Sequence, residues 1–182
     1  MEVLKAYGFD HNWRRWAMDL VTTSSFSILL NGSPSTTFKP SRGLKQGDLL
    51  SPFLFILVME RLGNAIKSVK AEGQIQDLIL TMNAEALTHQ QFVHDTMLQA
   101  TPTVKEALTY KQIINNFAMV SGTEVSLTKS KILFFYIDIA IQRYISRILY
   151  FQGDMPPSKY LGVPLIEKTL SKVVWERVAN KL

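Results

Sequence analysis

The 182-residue chain contains no cysteine, which excludes disulfide scaffolds, cysteine zinc sites, iron–sulfur clusters and thiol catalysis. Charge is sparse too. Only 19% of residues are charged against 47% hydrophobic, a balance too apolar for a disordered chain. Long apolar runs are also missing: the longest, residues 53–59, falls far short of the roughly 20 that span a bilayer. No membrane insertion is expected. Glu2, Lys5, His11, Arg14 and Arg15 crowd the N-terminus, where a secretory signal would need apolar residues. These absences point to an intracellular protein, nuclear or cytoplasmic alike, long enough for one compact domain. Against 15 acidic residues stand 20 Lys and Arg, and the net charge of +5 gives a weak general attraction for polyanions.

The spacing of apolar residues predicts an α+β chain. A helix with Asn12 as N-cap is expected to carry Trp13, Trp16, Ala17 and Leu20 on one face. Asn31-Gly32 between residues 25–30 and 35–39 predicts a hairpin, with Pro34 limiting pairing on the second arm. After a polar loop over 42–48, Ser51 as N-cap and Pro52 open a long helix that Gly73 ends. Strands are expected over 87–93 and 96–100, joined across His94-Asp95. Thr101 or Thr103 caps the next helix, with Val104, Ala107, Tyr110, Ile114, Phe117 and Val120 as its stripe and Ser121-Gly122 as its stop. Strands over 125–127, 131–136 and 160–165, an amphipathic helix over 139–150, a break at Pro156-Pro157 and a helix over 171–182 complete the pattern.

Residues 38–55 read Phe-Lys-Pro-Ser-Arg-Gly-Leu-Lys-Gln-Gly-Asp-Leu-Leu-Ser-Pro-Phe-Leu-Phe. Ile28, Asn31-Gly32 and Pro34 precede them. Phe92-Val93-His94-Asp95-Thr96, Ser121-Gly122 with Lys129-Ser130, and Lys159-Tyr160-Leu161-Gly162-Val163-Pro164-Leu165 follow. In this order the segments resemble the reverse transcriptases of LINE-type (non-long-terminal-repeat) retrotransposons, particularly the plant lineage, over residues 4–182. The resemblance implies a reverse-transcriptase palm over residues 1–150, an antiparallel sheet packed by long helices. Residues 151–182 would form the palm–thumb junction and a C-terminal helix, a partial thumb-like extension. Met1 falls downstream of the family's first palm motif, so that motif and the fingers are expected to be missing. Asp10 is not a replacement, because Gly8-Phe9-Asp10 and residues 13–16 match the helix that follows that motif.

The resemblance also implies nucleotide addition at a primer 3′ end by two divalent ions held on carboxylates. The family's Phe-Ala-Asp-Asp stands here as Phe92-Val93-His94-Asp95, and imidazole is a poor magnesium ligand. If each of two lost carboxylates weakened transition-state stabilisation by ~4 kcal/mol, the rate would fall roughly a millionfold. The expectation is a non-catalytic remnant or co-opted fragment, with no intact catalytic residue, no cofactor and the ancestral Mg2+ site lost. Arg42, Gly43, Lys45, Gln46 and Gly47 resemble the loop that contacts template and incoming nucleotide. Lys129 and Lys131 resemble the region near nucleotide phosphates and primer, and read equally well as solvated edge-strand lysines. Weak, salt-sensitive binding of RNA or DNA is expected. Trp13-Arg14-Arg15-Trp16 and Arg143-Tyr144 set aromatics beside cations, a pairing that suits single strands and also ordinary packing. Two alternatives stay open. A sheet edge lacking its neighbour favours self-association or a protein partner, and residual RNA-directed DNA polymerase activity would need the absent Asp from another chain.

Overall fold

The computed structural model describes residues 2–76, 88–155 and 158–165. The helix expected over 171–182, the Pro156-Pro157 break and Leu87 lie outside these residues, as does most of the segment beyond the boundary expected at 150/151. The chain divides into two compact units, residues 1–99 with 112–124, and residues 100–111 with 125–182.

In the first unit, α1 (Glu2–Ala6) ends at Gly8, whose φ of +78° suits glycine. The Gly8 N–H donates to the Lys5 carbonyl at 3.0 Å and the Phe9 N–H to that of Leu4 at 3.1 Å, the pattern that closes orphan carbonyls. The next helix, α2 (His11–Thr22), is capped by Asp10 rather than by the expected Asn12. The Asp10 carboxylate accepts from the Asn12 N–H at 2.8 Å, and that hydrogen bond holds its pKa below the ordinary range. The buried stripe of α2 also differs from expectation. Residues four apart, Trp13, Ala17 and Val21, face the core, whereas Trp16 and Leu20 sit on the flank, 60% and 57% exposed. Leu4, Ala17 and Leu54 form that core, with Phe9 and Trp13 stacked at 4.4 Å beside them.

A hairpin follows, β1 (Leu29–Leu30) against β2 (Ser33–Pro34). Asn31 and Gly32 take φ of +48° and +83°, the two positive values that a type I′ turn demands. Farther out Phe26 bridges Phe38, one residue out of register with the inner pairs. That extra residue is a bulge, at which the Ser35 hydroxyl accepts from the Ile28 N–H at 2.9 Å. The long helix α3 (Ser51–Ala71) ends in the same manner as α1, with Gly73 at φ +70°, and Ile66 is fully buried along it. Strands β3 (His89–Phe92) and β4 (Asp95–Leu98) pair antiparallel.

Helix α4 (Val104–Ser121) begins as expected: the Thr103 hydroxyl accepts from the Glu106 N–H at 3.2 Å, while the buried Glu106 carboxylate accepts from the Thr101 N–H at 2.8 Å. Its buried apolar residues are Ala107, Tyr110 and Ile113. Val104 and Val120, placed on the stripe by spacing, are exposed.

In the second unit, β5 (Lys131–Leu133), α5 (Ile139–Leu149) and β6 (Gln152–Asp154) form a strand–helix–strand crossover, and its strands pair parallel. This corrects the expected all-antiparallel sheet. A helix between two strands carries the chain back to the starting edge, so the second strand runs the same way as the first. Residues 125–127 are not a strand: 125–126 are irregular and the chain turns over 127–129, where the Ser126 carbonyl accepts from the N–H groups of Lys129 and Ser130 at 3.2 and 2.9 Å. β5 also stops at Leu133, short of the expected Tyr136, which takes φ +57°. Ala107, Phe134 and Ile145 are the core of this unit. Last come β7 (Ser158–Tyr160) and β8 (Val163–Leu165), a hairpin where one strand over 160–165 was expected. Gly162 at φ +84° permits the turn after Leu161. The mixture of helices and sheets is as expected, and among the described residues the strands form four two-stranded sheets, three antiparallel and one parallel.

Candidate functional site

The loop over 42–48 is exposed except for Asp48, which is half-buried. Two glycines shape it. Gly43 and Gly47 take φ of +87° and +88°, and Gly47 stands third in a turn closed by the Asp48 N–H on the Lys45 carbonyl at 3.4 Å. A positive φ at that place defines a type II turn and suits glycine. Asp48 fastens the loop to α3: its carboxylate accepts from the Leu50 N–H at 3.1 Å and from the Ser51 hydroxyl at 3.3 Å. Ser51 is thus the first helical residue rather than the cap, and Asp48 supplies the oxygen that the helix start needs. Arg42 pairs with Glu124, 82 residues later in the chain, and both side chains are well exposed.

The hairpin β3–β4 rests on the same helix. Gly63 leaves a notch on α3, since a Cβ there would lie 3.0 Å from His89 Nε2. The His89 ring fills it, with Nδ1 3.0 Å from the Thr88 hydroxyl. Burial, helped by the Lys67 ammonium, pushes the His89 pKa down. One turn nearer the N-terminus of α3, the Gln91 side-chain amide donates to the Met59 carbonyl at 3.3 Å. β3 therefore runs toward the start of α3. The 42–48 loop precedes α3, and the hairpin tip follows Gln91, whose anchor Met59 lies eight residues into that helix from Ser51.

The tip is one residue earlier than expected. Phe92 pairs Asp95, so the turn is Val93-His94 and Asp95 opens β4. All four residues, Phe92, Val93, His94 and Asp95, are exposed. His94 Nε2 is 3.8 Å from Asp95 Oδ1, a loose pair in water. Val93 takes φ +51°, an outlying value for a β-branched residue.

Lys129 and Lys131 belong to the second unit. Lys129 is exposed in the turn after Ser126, and Lys131 Nζ donates to Asp154 Oδ2 at 2.8 Å. That hydrogen bond depresses the Asp154 pKa, with the Met155 N–H adding to it. The pair ties β5 to β6.

The divalent ion pair implied by the resemblance asks for converging carboxylates. At the hairpin tip Asp95 stands beside an imidazole, and Asp48 faces the start of α3. Among the described residues no three His, Asp or Glu side chains are arranged to hold a metal ion. This donor set does not fit the ion pair. Among the described residues no helix is long and apolar enough to cross a membrane. Sequence reasoning missed the Gly63–His89 notch and the partnership of Glu124 with Arg42; a lone glycine within a helical pattern was the available signal for the first.

The chain is 38% identical over 69 residues to an uncharacterized mitochondrial protein of Arabidopsis thaliana, covering 38% of this chain and 57% of that protein. It is 39% identical over 91 residues to a retrovirus-related Pol polyprotein from a type-2 retrotransposable element of Drosophila melanogaster, covering 43% of this chain and 8% of the polyprotein. The chain thus spans little more than half of the first relative and a small part of the second. The model of the reverse transcriptase (RNA-dependent DNA polymerase) family matches residues 1–165, and the chain belongs to that family.

Proposed function

We propose that this chain is a retrotransposon-derived reverse-transcriptase fragment that holds single-stranded RNA or DNA weakly and does not polymerise. The observation that carries the reading is His94, exposed at the turn where the family sets the first acid of its pair. An imidazole there removes a hard, anionic oxygen from the place where two divalent ions are clamped. The binding half of the reading draws support from the loop: Gly43 and Gly47 keep its backbone shape, and Arg42, Lys45 and Gln46 are exposed on it. Lys129 is a further exposed cation for a phosphate, whereas Lys131 is engaged by Asp154. The net charge of +5 favours the same class of partner.

Primer extension with magnesium or manganese tests the first half, and no elongated product is expected. Turnover by the unaltered chain would overturn it. Fluorescence anisotropy with a ten-nucleotide RNA across a salt series tests the second. Binding at low salt should weaken as salt rises, and Arg42→Gln with Lys45→Gln should lower the logarithmic slope by about 0.7 per lost phosphate contact. No complex at the lowest salt removes nucleic acid from the reading.

A second reading has its own observation. Ile28, Leu29 and Leu30 are all exposed on a sheet that has only two strands among the described residues. Such an edge accepts a further strand from a partner or a second copy. Light scattering that finds a monomer at high concentration removes the self-association form of this reading.

A further inference from the structure

The second unit carries a cleft of about 290 Å³ lined by residues outside the individual motif segments quoted above. Ile139, Gln142, Arg143, Ser146 and Arg147 line one side, and their spacing of three and four puts them on one stripe of α5. The other side is Gly153 and Met155 on and after β6. β6 approaches closely at Gly153, where a Cβ would lie 3.3 Å from the Phe134 ring and 3.4 Å from Ser146 Oγ.

Two features of the cleft point to its occupant. The first is charge. Arg143 and Arg147 are one helical turn apart, roughly 5–6 Å between Cβ atoms, and among the described residues neither has an ion-pair or hydrogen-bond partner. Among the described residues the carboxylates adjoining α5 and β6 are committed elsewhere: Asp154 accepts from Lys131 and from the Met155 N–H, while Asp138 caps α5 through the Ala140 N–H at 2.7 Å. A carboxylate offers two oxygens, which one guanidinium fork satisfies, whereas a phosphate ester offers acceptors for two forks. The second feature is the rim. Ile139 and Met155 are 62% and 68% exposed and flank the arginines, apolar surface for the uncharged body of the same ligand. At this size the cleft suits one small ligand.

We propose that the α5–β6 cleft binds the phosphate ester of a nucleotide, with the phosphate on Arg143 and Arg147 and the base against Ile139 and Met155. The site uses residues of the second unit alone, so it stands or falls separately from the 42–48 loop. The phosphate has two sources, a free nucleotide or one nucleotide of a strand.

The test is a titration of the full chain, observing the arginine Nε–H resonances, with adenosine 5′-monophosphate, adenosine, inorganic phosphate and a ten-residue oligothymidylate as probes. Adenosine 5′-monophosphate should shift the Arg143 and Arg147 signals, with adenosine at least tenfold weaker. The double variant Arg143→Gln, Arg147→Gln should lose at least tenfold in affinity. Lys5→Gln, which removes one exposed charge elsewhere, should change it less than twofold. Met155→Ser should weaken adenosine 5′-monophosphate and leave inorganic phosphate unchanged. Oligonucleotide shifting the same signals identifies a strand as the source; shifts with the mononucleotide alone identify a free nucleotide. Signals that move with neither probe, or adenosine binding as well as its phosphate, overturn the proposal. So does a Glu-rich peptide that displaces the nucleotide at lower concentration.

Discussion

Two hairpins in the first unit turn through two residues, and their turns are built of different material. Asn31-Gly32 places at positive φ the residue types that tolerate it. Val93-His94 holds a β-branched valine at φ +51°, in a conformation that costs on the order of 1–3 kcal/mol outside glycine. The first turn is specified by its own residues. The second is held from outside, by the His89 ring in the Gly63 notch and the Gln91 amide on Met59. A turn that neighbours enforce depends less on its own residues, and the hairpin at 89–98 forms with Val93-His94 at its tip.

The largest effect should come from undermining the shared support. Ile66→Ala removes a side chain with no exposure from α3 and should cost about 2–5 kcal/mol in urea unfolding. Next is the notch. Gly63→Val drives a branched side chain against His89 and should cost about 1–3 kcal/mol. Amide exchange should then speed up over 89–98 and stay unchanged over 26–38, and uniform acceleration would show that the notch does not hold the hairpin. Exchanging the turn chemistries probes the contrast itself: Asn31→Val should destabilise by about 1–3 kcal/mol, while Val93→Asn should stabilise by about 1 kcal/mol, or ~2–4 °C in Tm. A Val93→Asn variant that melts no higher breaks the contrast.

The smallest effect is a pH dependence. Burial and Lys67 depress the His89 pKa, so between the folded value and about 6.5 the unfolded chain binds the extra proton more readily. Stability is therefore complete above about pH 6.5 and declines as pH falls toward the folded pKa. Lys67→Met should raise the His89 midpoint in an NMR titration and soften that decline. A midpoint unmoved by the substitution would leave burial as the whole cause.

Much of this was legible in the residues. Gly8, Gly73 and Gly122 end helices where φ turns positive, and Asn31-Gly32 makes the predicted turn, because these signals act over two or three residues. What the residues did not announce depended on distant partners. The parallel pairing of β5 and β6 is decided by where α5 returns the chain, and α2 hides Ala17 while leaving Trp16 exposed because of what Leu4 and Leu54 bring to it. The 42–48 loop was legible as a motif, yet its anchoring by Asp48 required the helix start to be in place. Lys131 looked like a free edge cation until β6 brought Asp154 beside it.

The Arg42–Glu124 pair carries one more implication. The chain supplies its own competitor: a carboxylate already occupies the guanidinium that an incoming phosphate would want. Because an exposed pair is worth about 0–1 kcal/mol, this resident rival should cut apparent anion affinity by no more than roughly fivefold. Glu124→Gln should recover up to that factor in the RNA anisotropy titration, and an unchanged dissociation constant would mean that Glu124 does not compete with the strand for Arg42.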